Sequence, residues 1–192
     1  MTNIFLTGPI NVGKSTIINS VAAKLRSHNV PVSGFRTLPY IRNGKVAGYY
    51  IEPVNCISNI PDISKRLIVL VTENEWKPMV DTFEGFALEI LYICLETSSG
   101  VIIMDELGFF EASASKFQRG VMQLLDSGRQ VLGVIKPISI PFLDRIREKE
   151  NVRVFVVSKS NRSYLDEEVL KLMNAEMGLW DLYGHSEISS GS

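Results

Sequence analysis

Histidine and cysteine are scarce in this chain, with two of each in 192 residues. His28 and His185 have no partner at metal-ligand spacing, and Cys56 and Cys94 are too few for a thiolate metal site or a disulfide framework. Cys94 lies in an apolar helical stretch and reads as a core residue. The low thiol count fits a reducing compartment. Charge of one sign is also lacking: 20 Lys and Arg stand against 21 Asp and Glu, a formal net charge of −1. Bulk attraction to nucleic acid or to an anionic membrane is therefore not expected. No apolar run approaches the roughly 20 residues that a membrane span needs. The first strand starts at about residue 3, so cleavage of a leader would remove part of the candidate site, and a cytoplasmic location is expected. There is no internal repeat, low-complexity tract or interdomain linker. With 45% hydrophobic residues, the chain is expected to form a single globular domain over 1–178. The stretch 179–192 reads as a C-terminal tail, small and polar from Ser186 to Ser192.

What the sequence does have begins at residue 8. Gly8-Pro9-Ile10-Asn11-Val12-Gly13-Lys14-Ser15 is G-x-x-x-x-G-K-S, the phosphate-binding P-loop, or Walker A motif. Gly8 and Gly13 let the backbone turn several N–H groups toward one oxyanion. Lys14 brings a compact positive charge to the β- and γ-phosphates, and Ser15 offers a hydroxyl to Mg²⁺. Thr16 continues the loop into a helix whose N-terminal dipole favours negative charge. Context agrees. Asn3–Thr7 is an apolar run fit for a buried strand, and Ile17, Ile18, Val21, Ala22 and Leu25 follow a helical period.

The remaining pattern alternates strand and helix. Val32–Arg36 reads as a strand. Asn43-Gly44 is a two-residue hairpin signal joining Thr37–Arg42 to Lys45–Ile51, an insertion of about 37–51 expected to leave the main sheet. Pro39 pushes its first arm toward an edge. Residues 53–65 read as loop and Arg66–Val71 as a strand. Asp81-Thr82-Phe83-Glu84 resembles a capping box for a helix stopping at Ser98-Ser99-Gly100. Val101–Asp105 is a continuous apolar run ending in a carboxylate, suited to a central parallel strand. A helix over Ser115–Ser127, a strand over Val131–Ile135, a short helix opened by Pro141 and a strand over Val152–Val157 follow. A last helix, with Ser163 as its cap, carries Leu165, Val169, Leu170 and Met173. The prediction is an α/β fold of P-loop type, with a mostly parallel central sheet, helices on both faces and the inserted hairpin. A ligand would sit at the C-terminal ends of the strands.

Asp105 ends its strand where a Walker B carboxylate holds Mg²⁺, and Glu106 is placed to polarise an attacking water. Further candidates are Arg36 and Arg42, which flank the hairpin, and Lys136, which follows a strand where a polar residue can sense a γ-phosphate. Asn161 and Arg162 precede the last helix, where a base or ribose would rest.

In order and spacing, several stretches resemble a known family. They are Gly8–Thr16, Gly34-Phe35-Arg36-Thr37, Arg42-Asn43-Gly44-Lys45-Val46-Ala47-Gly48-Tyr49, Asp105-Glu106-Leu107-Gly108-Phe109-Phe110-Glu111 and Ser160-Asn161-Arg162. The family is the small P-loop nucleoside-triphosphatases of the thermophilic and human cancer-related type. The resemblance runs from residue 3 to about 175. It implies Mg²⁺-dependent hydrolysis of ATP, GTP and other nucleoside triphosphates with loose base preference, with Lys14 and Ser15 on phosphate and metal, Asp105 on the metal and Glu106 as the base. It also matches Glu111, Arg42, Asn161 and Arg162 to family positions, Glu111 without a role that physics assigns. The chain departs from the family at Pro39-Tyr40 and within Pro9-Ile10-Asn11-Val12.

The reading is a Mg²⁺-dependent nucleoside-triphosphatase. A small-molecule or nucleotide kinase is the rival, but no compact arginine cluster follows Asp105-Glu106, Arg145 and Arg147 being the nearest. An ATP-binding regulatory adaptor with slow hydrolysis is the third reading. A guanine-specific switch would carry N-K-x-D, which does not occur.

Overall fold

A computed structural model of the chain describes residues 1–73, 75–96 and 100–177. In chain order the elements are β1 (Asn3–Thr7), α1 (Lys14–Ser27), β2 (Val32–Arg42), β3 (Lys45–Val54), β4 (Leu67–Val71) and β5 (Trp76–Pro78). Then α2 (Val80–Thr82) runs through a π-helical turn at Phe83–Ala87 into α3 (Leu88–Glu96). After it come β6 (Val101–Leu107), α4 (Ser115–Asp126), β7 (Gln130–Ile135), α5 (Pro141–Arg147), β8 (Val152–Val156) and α6 (Leu165–Met177). The expected helix stop at Ser98-Ser99 and the tail 179–192 lie outside the described residues.

One eight-stranded sheet has the order β5-β4-β3-β2-β6-β7-β1-β8. From β2 to β8 all neighbours are parallel, and of these pairs β6 and β7 are joined directly by a helical crossover, α4. From β2 to β5 all are antiparallel. The hairpin turns where expected: Asn43 and Gly44 take φ of 51° and 73°, the positive pair that a two-residue hairpin needs. Its arms do not leave the sheet, however. The strand expected at Val32–Arg36 and the arm expected at Thr37–Arg42 are one strand, β2. Its first part pairs with β6 as far as Arg36, while Gly34 onward pairs with β3. Pro39 lies beyond the point where β2 leaves β6, a position that tolerates a missing N–H.

Alternation along the strands divides the core. Ile4, Leu6, Val32, Val101, Ile103, Leu132 and Val134 pack with α1 and α6 on one face. Phe5, Phe35, Ile102, Met104 and Val131 pack with α3, α4 and α5 on the other. There Phe117 meets Phe35 and Phe83 at ring-centroid distances of 6.1 and 5.4 Å, contacts worth about 0.5–1.5 kcal/mol each beyond area burial. On the first face Asp166 of α6 accepts from Ser20 (2.5 Å) and Lys24 (2.9 Å) of α1.

The capping box at Asp81–Glu84 does not form. Met79 is the cap residue and no side chain caps the helix. Glu84 instead accepts from the Lys116 N–H (2.9 Å) and the Ser115 hydroxyl (3.5 Å), so it caps α4 from a neighbouring helix. The last helix starts at Leu165, and the turn before it is organised by Asn161 and not by Ser163. The Asn161 carbonyl accepts from the Tyr164 and Leu165 N–H groups. Among the described residues no helix is long and apolar enough to cross a membrane.

Asn3 ties β1 to the elements beside it. Fully buried, it donates to the Leu125 carbonyl (3.1 Å) and accepts from the Val131 N–H (3.1 Å). Asn151 also donates to the Leu125 carbonyl (2.7 Å). Asn3→Ala therefore orphans chiefly the Val131 donor, which should cost about 1–3 kcal/mol. Urea unfolding checks this, and an unchanged midpoint would mean that the Asn3 bridge is not a stabilising one.

Candidate functional site

β1 ends at Thr7 and the P-loop turns directly above it. Gly8 has φ of 140°, and a Cβ there would stand 2.6 Å from the Val157 carbonyl oxygen, so both conformation and space demand glycine. Asn11, at φ 59°, is the second residue in the left-handed region, and Gly13, at φ 114°, is the third. Val12 is buried in the α1-side core, whereas Pro9 and Ile10 are exposed. α1 then starts with no side-chain cap and no acidic residue in its first turn. Lys14 is buried, and its ammonium donates to the Gly8 (2.9 Å) and Pro9 (2.7 Å) carbonyls. Two of its three donors thus hold it across the loop. Ile10, Asn11, Gly13, Lys14, Ser15, Thr16 and Glu106 line a cavity of about 360 Å³. A larger one of about 540 Å³, around His28, Pro31 and Gln130, lies at the opposite ends of the strands.

One strand, β7, separates β1 from β6, and α1 crosses above it. That brings Ser15 Oγ to 3.4 Å from Asp105 Oδ1. Val101 and Ile103 face α1, so alternation turns Asp105 to the same face. Asp105 is 7% exposed, and burial pushes its carboxyl up to about 6, against the favourable contacts of Ser15, Arg36 and Lys14. Beyond Met104 the strand bulges: three steps of β6, Met104 to Leu107, span two of β7, Gly133 to Ile135. Such a bulge re-aims side chains beside a site. The Asp105–Glu106 peptide is cis. Glu106 lines the P-loop cavity, its N–H donates to Thr37 Oγ1 (3.4 Å), and its carboxylate pairs with Lys136 Nζ at 3.2 Å.

The next residues wrap around Lys136. Its stem crosses Gly108 so closely that a Cβ there would be 2.9 Å from Lys136 Cδ. Its ammonium lies 5.1 and 5.5 Å from the Phe109 and Phe110 ring centroids. Glu111, 2% exposed, turns back so that Oε2 accepts from the Gly108 N–H at 3.0 Å. Arg147 donates to the Lys136 carbonyl (2.7 Å) and pairs with Asp144. Sequence reasoning found Glu111 and Lys136 separately but not the contact between their loops. The Gly108-Phe109-Phe110-Glu111 run was its only signal.

Other candidates divide. Arg36 is the β2 neighbour of Asp105 in register and its Nε is buried without a partner. Arg42 is exposed at the hairpin tip, six strand residues and so about 20 Å from Arg36, and the structure does not bring it to the site. Asn161 uses both ends of its amide on its own turn: Oδ1 accepts from the Ser158 N–H (2.8 Å) and Nδ2 donates to the Val156 carbonyl (2.9 Å). Arg162 is exposed, its stem 3.7 Å from where a Cβ on Gly13 would stand.

A family model described as NTPase matches residues 3–170. The chain belongs to this nucleoside-triphosphatase family. It is 32% identical over 180 residues to the cancer-related nucleoside-triphosphatase of Homo sapiens, covering 85% of this chain and 92% of that one. It is 29% identical over 184 residues to the nucleoside-triphosphatase THEP1 of Thermotoga petrophila, covering 91% and 94%. The solution structure of a human cancer-related nucleoside triphosphatase matches with a TM-score of 0.71 at 28% identity, over 91% of this chain and 98% of that one. The crystal structure of THEP1 from Aquifex aeolicus shares the fold, with a TM-score of 0.67 at 24% identity over 90% and 98%. Membership decides against the kinase reading in favour of the triphosphatase.

Glu111 in this nucleoside-triphosphatase makes a pH test. Burial holds its carboxyl up at about 7, against an ordinary 4.5. The Gly108 N–H and the Lys136 charge oppose that rise, and the Glu106 charge adds to it. Between about 4.5 and about 7 the folded chain keeps a proton that the unfolded chain has lost. This contribution therefore weakens stability as pH rises through that window, by about 3 kcal/mol in all, and is constant above it. Glu111→Gln keeps an acceptor for Gly108 and removes the charge. It should match the wild type near pH 4 and be more stable by about 1–3 kcal/mol at pH 8. Denaturant unfolding across pH checks this, and a variant that keeps the wild-type slope would show that Glu111 does not titrate there.

Proposed function

We propose that the chain hydrolyses nucleoside triphosphates to diphosphate and inorganic phosphate in a Mg²⁺-dependent reaction. The observation that carries the reading is the contact of Ser15 Oγ with Asp105 Oδ1 at the mouth of a P-loop cavity that Glu106 also lines. The names of the human and Thermotoga relatives, both nucleoside-triphosphatases, support it.

The donor set fits Mg²⁺. Ser15 and Asp105 supply hard oxygen ligands, and the buried Asp105 charge would be offset by a cation. Among the described residues no three His, Cys, Asp or Glu are grouped so that they could hold a metal ion, and Mg²⁺ uses one or two carboxylates with phosphate and water instead of an all-protein cage. When bound, Mg²⁺ supplies charge neutralisation at the phosphate oxygens. The backbone from Gly8 to Thr16 cradles the phosphates and Lys14 places its charge on the β- and γ-oxygens. Glu106 takes a proton from water as the water oxygen bonds to the γ-phosphorus and the bond to the β-phosphate oxygen breaks. Arg162, whose stem runs beside Gly13, would stack its guanidinium on a base, while Asn161 shapes the turn that presents it. The N-K-x-D string that reads guanine in GTPase switches does not occur in the sequence.

Phosphate release from a nucleotide panel, with and without Mg²⁺, tests the reading. Steady multiple turnover that requires Mg²⁺ is expected, with ATP and GTP differing in kcat/KM by less than about a hundredfold. Release at background would instead favour the adaptor reading. Asp105→Asn should raise the Mg²⁺ concentration for half-maximal activity. Glu106→Gln should spare nucleotide affinity and lower kcat by on the order of 10²–10⁴. A near wild-type kcat in Glu106→Gln would remove Glu106 as the base.

A further inference from the structure

We propose that Lys136 is a positioning residue for this reaction: held on an aromatic cradle, it fixes the carboxylate of Glu106 in place. The inference rests on the reading of Glu106 as the base. Lys136 stands just past the end of β7, and its ammonium is 3.2 Å from Glu106 Oε1. Three observations make the pair more than a surface ion pair. First, the ammonium lies over two ring faces, Phe109 and Phe110, which hold a cation without neutralising it. Second, the stem lies closely across Gly108, where a Cβ would come within 2.9 Å of Lys136 Cδ. The Gly108 N–H is itself tied down by the buried Glu111. Third, the cradle is buttressed. The Phe110 ring stacks on Trp76 at 5.7 Å and 10°, and Trp76 stacks on Tyr49 at 5.7 Å and 26°. A stack of rings from β3 and β5 therefore backs the lysine that holds the base.

The Lys136 backbone is fixed as well. Its N–H donates to the Leu107 carbonyl (3.0 Å), and its carbonyl accepts from Arg147. Lys136 thus sits on backbone that is hydrogen-bonded at both its N–H and its carbonyl, and the Glu106 N–H reaches Thr37 Oγ1 at 3.4 Å. An otherwise free carboxylate with several rotamers gains one orientation, which matters because small misplacements of a reacting group cost rate steeply.

The alternative for Lys136 is direct contact with the γ-phosphate, and a double-mutant cycle separates the two. Nucleotide affinity is measured with a non-hydrolysable triphosphate, and single-turnover rates are measured for Lys136→Met, Glu106→Gln and the double variant. Positioning predicts that Lys136→Met loses on the order of tenfold to a hundredfold in rate with affinity retained. It also predicts that the same substitution costs nothing further in the Glu106→Gln background. Lys136→Arg, which keeps the charge and lies well on a ring, should recover most of the loss. Phe109→Leu keeps an apolar side chain but removes one π face. It should lower the rate in the same direction, and it provides the readout should Lys136→Met not fold.

Additive losses in the double variant, or a fall in triphosphate affinity on Lys136→Met, would overturn positioning in favour of phosphate contact. Wild-type rates in both Lys136→Met and Phe109→Leu would overturn it outright. If Glu106→Gln is impaired and Lys136→Met is not, this inference fails while the reading of Glu106 stands. If Glu106→Gln turns over normally, the reading of the base fails first and this inference with it.

Discussion

Three carboxylates crowd one short stretch, Asp105, Glu106 and Glu111, at the partly buried end of β6. Like charges that close, in a medium less polar than water, repel by on the order of a few kcal/mol, and burial adds its own penalty to each ionised form. The surrounding structure separates them by giving each a different counterpart. Asp105 has the Ser15 hydroxyl and the nearby charges of Arg36 and Lys14. Glu106 has Lys136. Glu111 has the Gly108 N–H, and burial holds its carboxyl up at about 7, so that it carries little charge below neutral pH. Two of the three carboxyls, Asp105 and Glu111, are raised chiefly by burial, and only Glu106, the most exposed of the three, is paired with a full cation of its own.

The sheet order makes that distribution geometrically available. β6 lies between β2 and β7, and all three strands end at the same edge because they are parallel. Arg36 and Thr37 arrive from β2 on one side and Lys136 from β7 on the other. Ser15 arrives from α1 above, and Glu111 from the loop that leaves β6 itself. The bulge after Met104 matters here. Without it, strict alternation would place Asp105 and Leu107 on one face and Glu106 with the apolar residues of the other. With it, Leu107 enters the α4-side core while both Asp105 and Glu106 reach the P-loop edge.

Features encoded by local chemistry were legible in the sequence. The P-loop, the Asn43-Gly44 turn, the apolar run ending in Asp105 and the helix opened by Pro141 each depend on a few adjacent residues. What depended on which of several possible partners a group takes was not legible. Glu84 reads as half of a capping box because its spacing from Asp81 is right. Its carboxylate is nonetheless better used on the exposed first turn of α4, 32 residues away. The hairpin reads as an insertion because Pro39 and the turn suggest an edge. Nothing local says that its first arm continues a strand already paired with β6. Asn161 and Arg162 read as a ligand-facing pair. The structure spends Asn161 on its own turn, where an amide can satisfy one donor and one acceptor together, and runs the Arg162 stem beside Gly13 of the P-loop. Glu111 could be matched but not explained, because its partner is a backbone N–H three residues back whose importance comes from the lysine lying over it.

That lysine also explains why aromatic residues follow the acidic pair. A carboxylate could have anchored Lys136, but it would have brought a fourth negative group to an edge that already has three, and it would have shared the cation with Glu106. The ring faces of Phe109 and Phe110 attract an ammonium through their quadrupoles and leave its net charge intact. Their cost is exposed apolar surface, since Phe109 is 44% exposed and Trp76 50%. The antiparallel strands β3 to β5 limit that cost by stacking Tyr49 and Trp76 behind Phe110. The sheet extension beyond β2 therefore does more than cover an edge. It provides a stiff apolar wall for a lysine whose undiminished charge is directed at Glu106.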